Sequence, residues 1–251
     1  MTFRTFAIAP LALGLALPLA LGACNKQDDA ATAGLSGAAI AKIAAPVGKS
    51  WAETVVATPE GGYRMGNPEA PIKLIEFGSL TCSHCMEFSE KGSVALRDTF
   101  VASGRVSYEF RNFIRDPIDL TAAQLTHCGT PESFFALTDQ VFGYQATLFE
   151  KAQAAGKGYE AAVSQAPDRR GLAIADMVGL TEFFAARGIA RDQAATCLAD
   201  TAKAKALADA TNQQAEQYKI EGTPTFLVNG TKVDMNTWEQ VKAELERLGA
   251  R

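Results

Sequence analysis

Two cysteines that stand two residues apart are the residues of this sequence best suited to chemistry. Cys82 and Cys85 follow an apolar run that is typical of a buried strand and turn, at the place where the next helix should begin. A C-x-x-C at the start of a helix brings both sulfurs within one turn, so they can form a disulfide. The pattern therefore predicts thiol–disulfide exchange, and the alternative is an inert structural disulfide.

The two cysteines should have different roles. At the helix N-terminus, unpaired backbone N–H groups and the helix dipole favour a thiolate, so Cys82 is the predicted nucleophile and the more exposed sulfur. Cys85 lies one turn further in and is the predicted resolving thiol, which releases a substrate from a mixed disulfide. Burial should raise the pKa of Cys85, so this thiol needs a proton acceptor.

A zinc site is a competing interpretation of these residue types. Cys82, His84 and Cys85 could all bind zinc, but only His127 and Cys128 offer a second pair, and adjacent residues rarely chelate one tetrahedral ion. The sequence also lacks the histidine after the second cysteine that covalent haem attachment requires. We therefore expect no metal and no organic cofactor.

The N-terminus has the pattern of an export signal. Arg4 precedes an apolar segment over residues 7–23 that is too short for a good membrane-spanning helix, so residues 1–23 are a predicted signal peptide. Residues 21–24 (Leu-Gly-Ala-Cys) resemble the bacterial lipobox, which predicts cleavage before Cys24 and lipidation of that cysteine. The alternative is an ordinary signal cleaved nearby, and both interpretations export the protein to the periplasm.

Export determines how the other cysteines are interpreted, because an oxidising compartment permits disulfides. If Cys24 is acylated, the remaining four cysteines divide into Cys82 with Cys85 and the distant pair Cys128 with Cys197, which leaves no orphan thiol. The distant pair is a predicted structural disulfide that closes a loop of about seventy residues. Free buried thiols and a regulatory redox pair are the alternatives.

Composition predicts a soluble globular protein without affinity for polyanions. The chain has 251 residues, of which 47% are hydrophobic and 21% charged, enough for an ample core. A net charge of −4 provides no basic field to attract nucleic acid or anionic lipid, so we discard a nucleic-acid role. Residues 24–50 are rich in alanine, glycine and small polar residues and are a predicted flexible tether.

The rest of the chain predicts an α/β domain in three parts. Residues 51–116 contain the strand 72–77, a helix from Cys82 to about Ala102 capped by Thr81, and the strand 105–113, which together form a parallel βαβ unit. Residues 117–200 carry only helical signals and are a predicted all-helical insertion. Residues 201–251 contain the end of a helix broken near Asp200, a hairpin around the turn Asn229-Gly230, and a final amphipathic helix.

This order of elements resembles the thioredoxin fold in its DsbA-like form over residues 51–251. Three motifs carry the resemblance: the run from Phe77 to Cys85, Glu76 six residues before the first cysteine, and Gly222-Thr223-Pro224. DsbA itself has proline where this chain has Ser83 and valine where it has Thr223. Threonine at that position is similar to the isomerase branch, which leaves the direction of electron flow open.

The resemblance implies roles for four further residues. The His84 imidazole would stabilise the Cys82 thiolate as a cation or a hydrogen-bond donor. Glu76 would accept the proton of Cys85 as a buried carboxylate with a raised pKa, the alternative being a surface-facing acid on an edge strand. Pro224 would be cis, which exposes the Thr223 backbone to pair with an extended substrate as an added strand.

The resemblance implies an exported thiol:disulfide oxidoreductase that donates the Cys82–Cys85 disulfide to reduced cysteines of unfolded exported proteins. A membrane redox partner would reoxidise it, and acylated Cys24 would anchor it. The substrate would lie against Thr223-Pro224 and an apolar groove between the thioredoxin core and the insertion. The alternatives are a disulfide isomerase or reductase of the same fold and a redox-inert peptide-binding lipoprotein.

Overall fold

The centre of the molecule is a mixed β-sheet. The computed structural model describes residues 1–3 and 38–251, so most of the predicted signal peptide, Cys24 and the first part of the predicted tether lie outside the described residues. The strand order is β1-β2-β4-β3-β5-β6. The strands are β1 Val55–Ala57, β2 Tyr63–Gly66, β3 Ile72–Gly78, β4 Val106–Asn112, β5 Thr225–Val228 and β6 Thr231–Val233.

The predicted parallel βαβ unit is present and holds the C-x-x-C. Strands β3 and β4 pair in parallel from Ile72 opposite Val106 to Gly78 opposite Asn112, and the helix α1 Ser83–Ala95 connects them. Because β3 also pairs with β5, it lies in the interior of the sheet. The helix begins one residue later than predicted, because Cys82 is extended (φ −93°, ψ 122°) and is itself the N-cap in place of Thr81.

The predicted helical insertion is also present between β4 and β5. It consists of α2 to α7, and α8 then leads back to the sheet. Asp200 ends α7 and its carboxylate accepts a hydrogen bond from the backbone N–H of Lys203 at 2.9 Å, which explains the break predicted there. The helices are α2 Pro117–Thr126, α3 Phe134–Ala155, α4 Lys157–Val163, α5 Pro167–Val178, α6 Leu180–Ala185, α7 Arg191–Ala199, α8 Thr201–Tyr218 and α9 Trp238–Arg247.

Residues 38–50, the described part of the predicted tether over residues 24–50, are attached to the domain at Ile40 and Ile43. The backbone N–H of Ile40 donates to the carbonyl of Gly249, and that of Ile43 donates to the carbonyl of Ser103, both at 2.9 Å. Gly104 makes this approach possible, since a Cβ there would lie 2.3 Å from the Ile43 carbonyl oxygen. Composition could not reveal the attachment, because it depends on residues far along the chain: the Arg105 side chain also donates to the carbonyl of Ile40 at 3.2 Å.

A disulfide joins Cys128 to Cys197 across a sequence separation of 69 residues. Cys128 follows the end of α2 and Cys197 lies in α7, so the bond fastens the beginning of the insertion to its end. Within residues 38–251, no helix is long and apolar enough to cross a membrane.

Replacing both Cys128 and Cys197 with serine is expected to lower the free energy of unfolding by about 4 kcal/mol. The reason is the chain entropy that the unfolded state regains when a loop of this size is opened. Urea unfolding of the double variant and of the oxidised wild type measures the difference. Equal unfolding midpoints and slopes would show that the disulfide contributes nothing to stability.

Candidate active site

Cys82 lies beneath the segment that precedes β5. Its Sγ donates a hydrogen bond to the backbone carbonyl of Thr223 at 3.2 Å, and the Thr223–Pro224 peptide bond is cis as predicted. Cys82 is the more exposed of the two sulfurs, as predicted, although both residues are buried: Cys82 is 3% exposed and Cys85 0%. Thr223, from a distant part of the sequence, lies against the Cys82 sulfur, and the groove beside it is lined by Thr223 and Pro224.

The surroundings of Cys82 strongly favour its thiolate. The thiol of Cys85 donates to the Cys82 sulfur and is the largest influence, and it lowers the pKa of Cys82 to about 5 despite the opposing effect of burial. The Thr223 side chain and the backbone N–H groups of Cys85 and His84 lower this pKa further. The helix N-terminus therefore acts as the sequence predicted, by directing unpaired N–H groups at the sulfur.

The His84 side chain lies at the edge of this site. It is 75% exposed, its Nδ1 lies 3.9 Å from the Glu87 carboxylate, and it lines the groove beside Thr223 and Pro224. The His84 backbone N–H is among the groups that lower the pKa of Cys82. The predicted contribution of the imidazole to the Cys82 thiolate stays a prediction.

Cys85 and Glu76 form the buried side of the site. Cys85 is fully buried, and burial, its hydrogen bond to Cys82 and the charge of Glu76 raise the pKa of its thiol. Glu76 is 1% exposed in the interior strand β3, so the alternative of a surface-facing acid is wrong. Burial raises the pKa of Glu76 to about 8, although Tyr108 donates to its Oε2 at 2.6 Å.

A buried carboxylate that sequence reasoning missed holds the turn before Cys82. Asp119 of α2 accepts hydrogen bonds from the Ser79 hydroxyl at 2.7 Å, the Leu80 backbone N–H at 2.8 Å and the Arg115 backbone N–H at 3.0 Å. Burial raises the pKa of Asp119 to about 7. In the sequence, its position three residues after Asp116, the N-cap of α2, indicated only an acidic residue in the first turn of a helix.

A second missed residue, Gln145 of α3, fixes the same turn from the other side. Its buried Nε2 donates to the carbonyl of Leu80 at 3.0 Å and to that of Cys82 at 3.1 Å. The available signal was a polar side chain between the buried Phe142 and Leu148. The insertion thus positions Cys82 by hydrogen bonds, which its apolar periodicity does not encode.

The groove at the site is built from the thioredoxin part of the chain. It lies between the start of α1, the cis-proline segment and the connection from β6 to α9, and His84, Thr223, Pro224, Lys232 and Met235 are among its lining residues. A separate groove between the core and the insertion runs past Arg115, Leu120 and Arg170. The expected apolar groove between core and insertion is therefore not the one beside Cys82.

The rate at which iodoacetamide alkylates the reduced protein is expected to be half-maximal near pH 5. This follows from the lowered pKa of Cys82, since the thiolate is the nucleophile and an ordinary thiol titrates near pH ~8.5. Cys85 should remain unmodified because it is buried and its pKa is raised. Mass spectrometry of the alkylated peptide measures both, and a midpoint above pH 7 would contradict the account of Cys82.

Residues 38–251 contain no group of three or more histidine, cysteine, aspartate or glutamate side chains placed to hold a metal ion. Both thiols of the C-x-x-C are free in this structure, which corresponds to the reduced state.

The fold and the site define a thioredoxin-fold protein with its C-x-x-C at the start of the first core helix, facing a cis-proline. A thioredoxin family model matches residues 58–247, and the chain belongs to this family. A crystal structure of a protein-disulfide isomerase from Novosphingobium aromaticivorans is 34% identical, covers 74% of this chain and 97% of its own, and superposes with a TM-score of 0.70.

More distant relatives agree in fold. Wolbachia pipientis alpha-DsbA1 is 22% identical over 74% of this chain and 89% of its own, with a TM-score of 0.59, which confirms the thioredoxin fold with a helical insertion. A protein from Rickettsia bellii named as a protein-disulfide oxidoreductase is 24% identical over 189 residues. This chain spans 64% of the length of that relative and 60% of the one from Rickettsia typhi.

Proposed function

We propose that this protein is a thiol:disulfide oxidoreductase that donates the Cys82–Cys85 disulfide to reduced cysteines of other proteins. The observation that carries the proposal is the asymmetry of the two thiols. The pKa of Cys82 is lowered to about 5, and that of the buried Cys85 is raised. Thiol–disulfide exchange depends on a difference between the pKa values of the two thiols, whereas an inert structural disulfide does not require one.

In the oxidising direction, a substrate thiolate attacks Cys82 Sγ and breaks its bond to Cys85 Sγ. Cys85 leaves as a thiolate and takes up a proton, and Glu76, whose pKa is about 8, supplies it at neutral pH. A second substrate thiolate then attacks the substrate sulfur of the mixed disulfide. Cys82 leaves as a thiolate that its surroundings already stabilise, and the substrate gains its disulfide.

In the opposite direction the same groups exchange roles. Cys85 gives its proton to the Glu76 carboxylate and attacks the mixed disulfide at Cys82, as the sequence predicted for a resolving thiol. Glu76 thus serves as proton donor or acceptor according to the direction of electron flow. In both directions, the Thr223 backbone beside the cis-proline would pair with an extended substrate segment as an added strand.

The second candidate function is disulfide isomerisation. Two observations favour it: the related Novosphingobium protein is described as a protein-disulfide isomerase, and Thr223 occupies the position before the cis-proline. The lowered pKa of Cys82 favours oxidation, because it stabilises the reduced enzyme and makes the disulfide a stronger oxidant. We therefore place oxidation first and isomerisation second.

Export to the periplasm, lipidation of Cys24 and reoxidation by a membrane redox partner complete the proposed function. The apolar N-terminal segment and the sequence around Cys24 support the first two, and the need to restore the disulfide after each turnover supports the third. Unfolded or reduced exported proteins are the proposed substrates, because an open groove beside Thr223 and Pro224 can take an extended chain.

Two assays on the same protein separate the candidate functions. Oxidised protein is mixed with a reduced unfolded protein that contains several cysteines, and reduced protein is mixed with a substrate whose disulfides are scrambled. We expect disulfide formation in the first assay to be faster than the recovery of native disulfides in the second. Faster recovery from scrambled disulfides, or faster reduction of insulin, would replace oxidation by the second candidate function.

A further inference from the structure

A small cavity beside Glu76 is separate from the groove at Thr223 and Pro224. It lies between α1, α3 and the sheet, and its volume of about 30 Å³ is enough for about two water molecules. The ionisable residues in its wall are Glu76, Arg97, Tyr108 and Asp139, and the hydroxyl residues Ser89, Ser93 and Thr138 also line it. Within the described part of the chain, no residue lines both this cavity and the groove beside Thr223.

A row of residues along α1 and the π-helical turn Leu96–Val101 that follows it leads from the buried cysteine toward the surface. Cys85, Ser89, Ser93 and Arg97 follow one another at intervals of four residues, a spacing that places side chains on the same helix face. Cys85 is fully buried at one end of this row, and the Arg97 side chain is 41% exposed at the other. Ser89, Ser93 and Arg97 line the cavity, which therefore begins one helical turn from Cys85 and reaches toward the partly exposed Arg97.

Two acids face this row, one from the sheet and one from α3. The Glu76 Oε1 is buried and has no hydrogen-bond partner among residues 38–251, while its Oε2 accepts from Tyr108. Asp139 accepts a hydrogen bond from the Ser89 hydroxyl at 2.7 Å. Two carboxyl groups and two serine hydroxyls thus line one cavity that has room for water, which are the groups a proton relay requires.

The charges around both acids keep them able to take up and release a proton. Glu76 is faced by Tyr108 from β4, by Asp139 from α3 and by Cys82 and Cys85 from the active site. Asp139 is faced by Ser89 and Ser93, which lower its pKa, and by Arg97, whose charge also lowers it, but burial has the larger effect and raises it. Arg97 in turn pairs with Asp98 at 2.8 Å.

We propose that Asp139 relays protons between Glu76 and solvent through this cavity during disulfide exchange. A substrate held at Cys82 in a mixed disulfide covers the groove, so a proton that moves to or from Cys85 needs a route on another side. The proposal rests on the proposed function only in assuming that Cys85 exchanges a proton when disulfides are exchanged. It holds for oxidation and for isomerisation alike.

Oxidised glutathione is a suitable probe because both steps of its reaction are defined. The Cys82 thiolate attacks one glutathione sulfur and releases the first glutathione thiolate. Cys85 then passes its proton to the Glu76 carboxylate, attacks the Cys82 sulfur and releases the second glutathione thiolate as the intramolecular disulfide forms. Asp139 returns the proton from Glu76 to solvent, which leaves the relay ready for another cycle.

Asp139→Asn keeps the size of the side chain and removes its ability to carry a proton. Rapid acid quenching and mass spectrometry separate the two steps, since mixed-disulfide formation depends on glutathione concentration and its resolution does not. At pH 7, we expect the rate of mixed-disulfide formation to change less than about twofold. Resolution of the mixed disulfide should slow about tenfold and show an altered pH profile. A tenfold effect is smaller than the full effect usual for general acid–base catalysis.

Asp98→Asn is the matched control, because Asp98 also pairs with Arg97 but does not line the cavity. Both of its rates and its pH profile should equal those of the wild type. Ser89→Ala, which removes the donor to Asp139, should slow resolution less than Asp139→Asn does and serves if that variant does not fold. The relay would be overturned if Asp139→Asn resolves the mixed disulfide at the wild-type rate with an unchanged pH profile. If Asp139→Asn does not fold, the same result in Ser89→Ala would overturn it.

Equal slowing of formation and resolution would also overturn it, since that result indicates a structural role. The glutathione reaction does not depend on the natural substrate or on the direction of electron flow. Failure of the proposed oxidase function in the substrate assays is therefore distinguishable from failure of the relay.

Discussion

Cys82→Ser is expected to lower the rate of substrate oxidation at least about a thousandfold. The substitution removes the sulfur whose surroundings lower its pKa to about 5, and serine oxygen forms no disulfide. The residual rate should equal that of the solution without protein. Loss of free substrate thiols, followed at pH 7 with both proteins pre-treated with the same oxidant, measures the effect.

Cys85→Ser provides the contrast that assigns the roles. With Cys82 intact and no resolving thiol, this variant should form mixed disulfides that persist, so covalent complexes should accumulate on a non-reducing gel. Cys82→Ser should form none, because its remaining thiol is fully buried. Substrate oxidation by Cys82→Ser at the wild-type rate, or persistent complexes through Cys85, would contradict the assignment of Cys82 as nucleophile.

Glu76→Gln is expected to slow the step at Cys85 about a hundredfold while it stabilises the folded protein. The amide keeps the shape of the side chain and can still accept from Tyr108, but it carries no proton to or from Cys85. The alkylation rate of Cys82 should persist. Rapid quenching of the glutathione reaction measures the first effect, and urea unfolding measures the second.

The stability effect has a defined pH window. The pKa of Glu76 is raised from 4.5 to about 8 on folding, so between these values the folded protein holds a proton that the unfolded chain has lost. Stability is therefore unaffected below pH ~4.5 and falls as pH rises toward 8. At pH 7, Glu76→Gln should be more stable than the wild type by about 3 kcal/mol, at 1.36 kcal/mol per pH unit.

Glu69→Gln is the control, because Glu69 is an exposed acid in the turn before β3. It should leave the Cys85 step and the pH dependence of stability unchanged. A Glu76→Gln protein that resolves mixed disulfides at the wild-type rate would remove Glu76 from the mechanism. If the stability of Glu76→Gln falls with rising pH as that of the wild type does, the raised pKa of Glu76 is contradicted. A gain of stability with a loss of rate is typical of buried functional acids.

Local patterns in the sequence predicted where the two cysteines of the C-x-x-C lie in the fold. The helix N-terminus at Cys82, the burial of Cys85 and the parallel pairing of β3 with β4 all follow from spacing and periodicity within short stretches. The resemblance to the DsbA-like fold added Glu76 and the cis-proline, which no local rule would have selected. These features could be predicted because each depends on a few neighbouring residues or on a motif.

Features that depend on distant contacts could not be predicted in this way. Asp119 and Gln145 lie on helices of the insertion, and their bonds to the turn before Cys82 join residues 39 to 65 positions apart. The near-complete burial of Cys82 belongs to the same group, since Thr223 contacts its sulfur from 141 positions away. The attachment of Ile40 likewise depends on the carbonyl of Gly249 and the side chain of Arg105, which lie far along the chain.

The reduction potential of the Cys82–Cys85 pair, measured against glutathione at pH 7, tests the proposed oxidation most directly. A Cys82 pKa of about 5 stabilises the reduced form at pH 7 by about 2.7 kcal/mol relative to an ordinary thiol, which raises the potential by about 60 mV. We expect a value at least about 60 mV more positive than the value of about −270 mV that is typical of thioredoxin. A value near about −270 mV would contradict the role of Cys82 in oxidation.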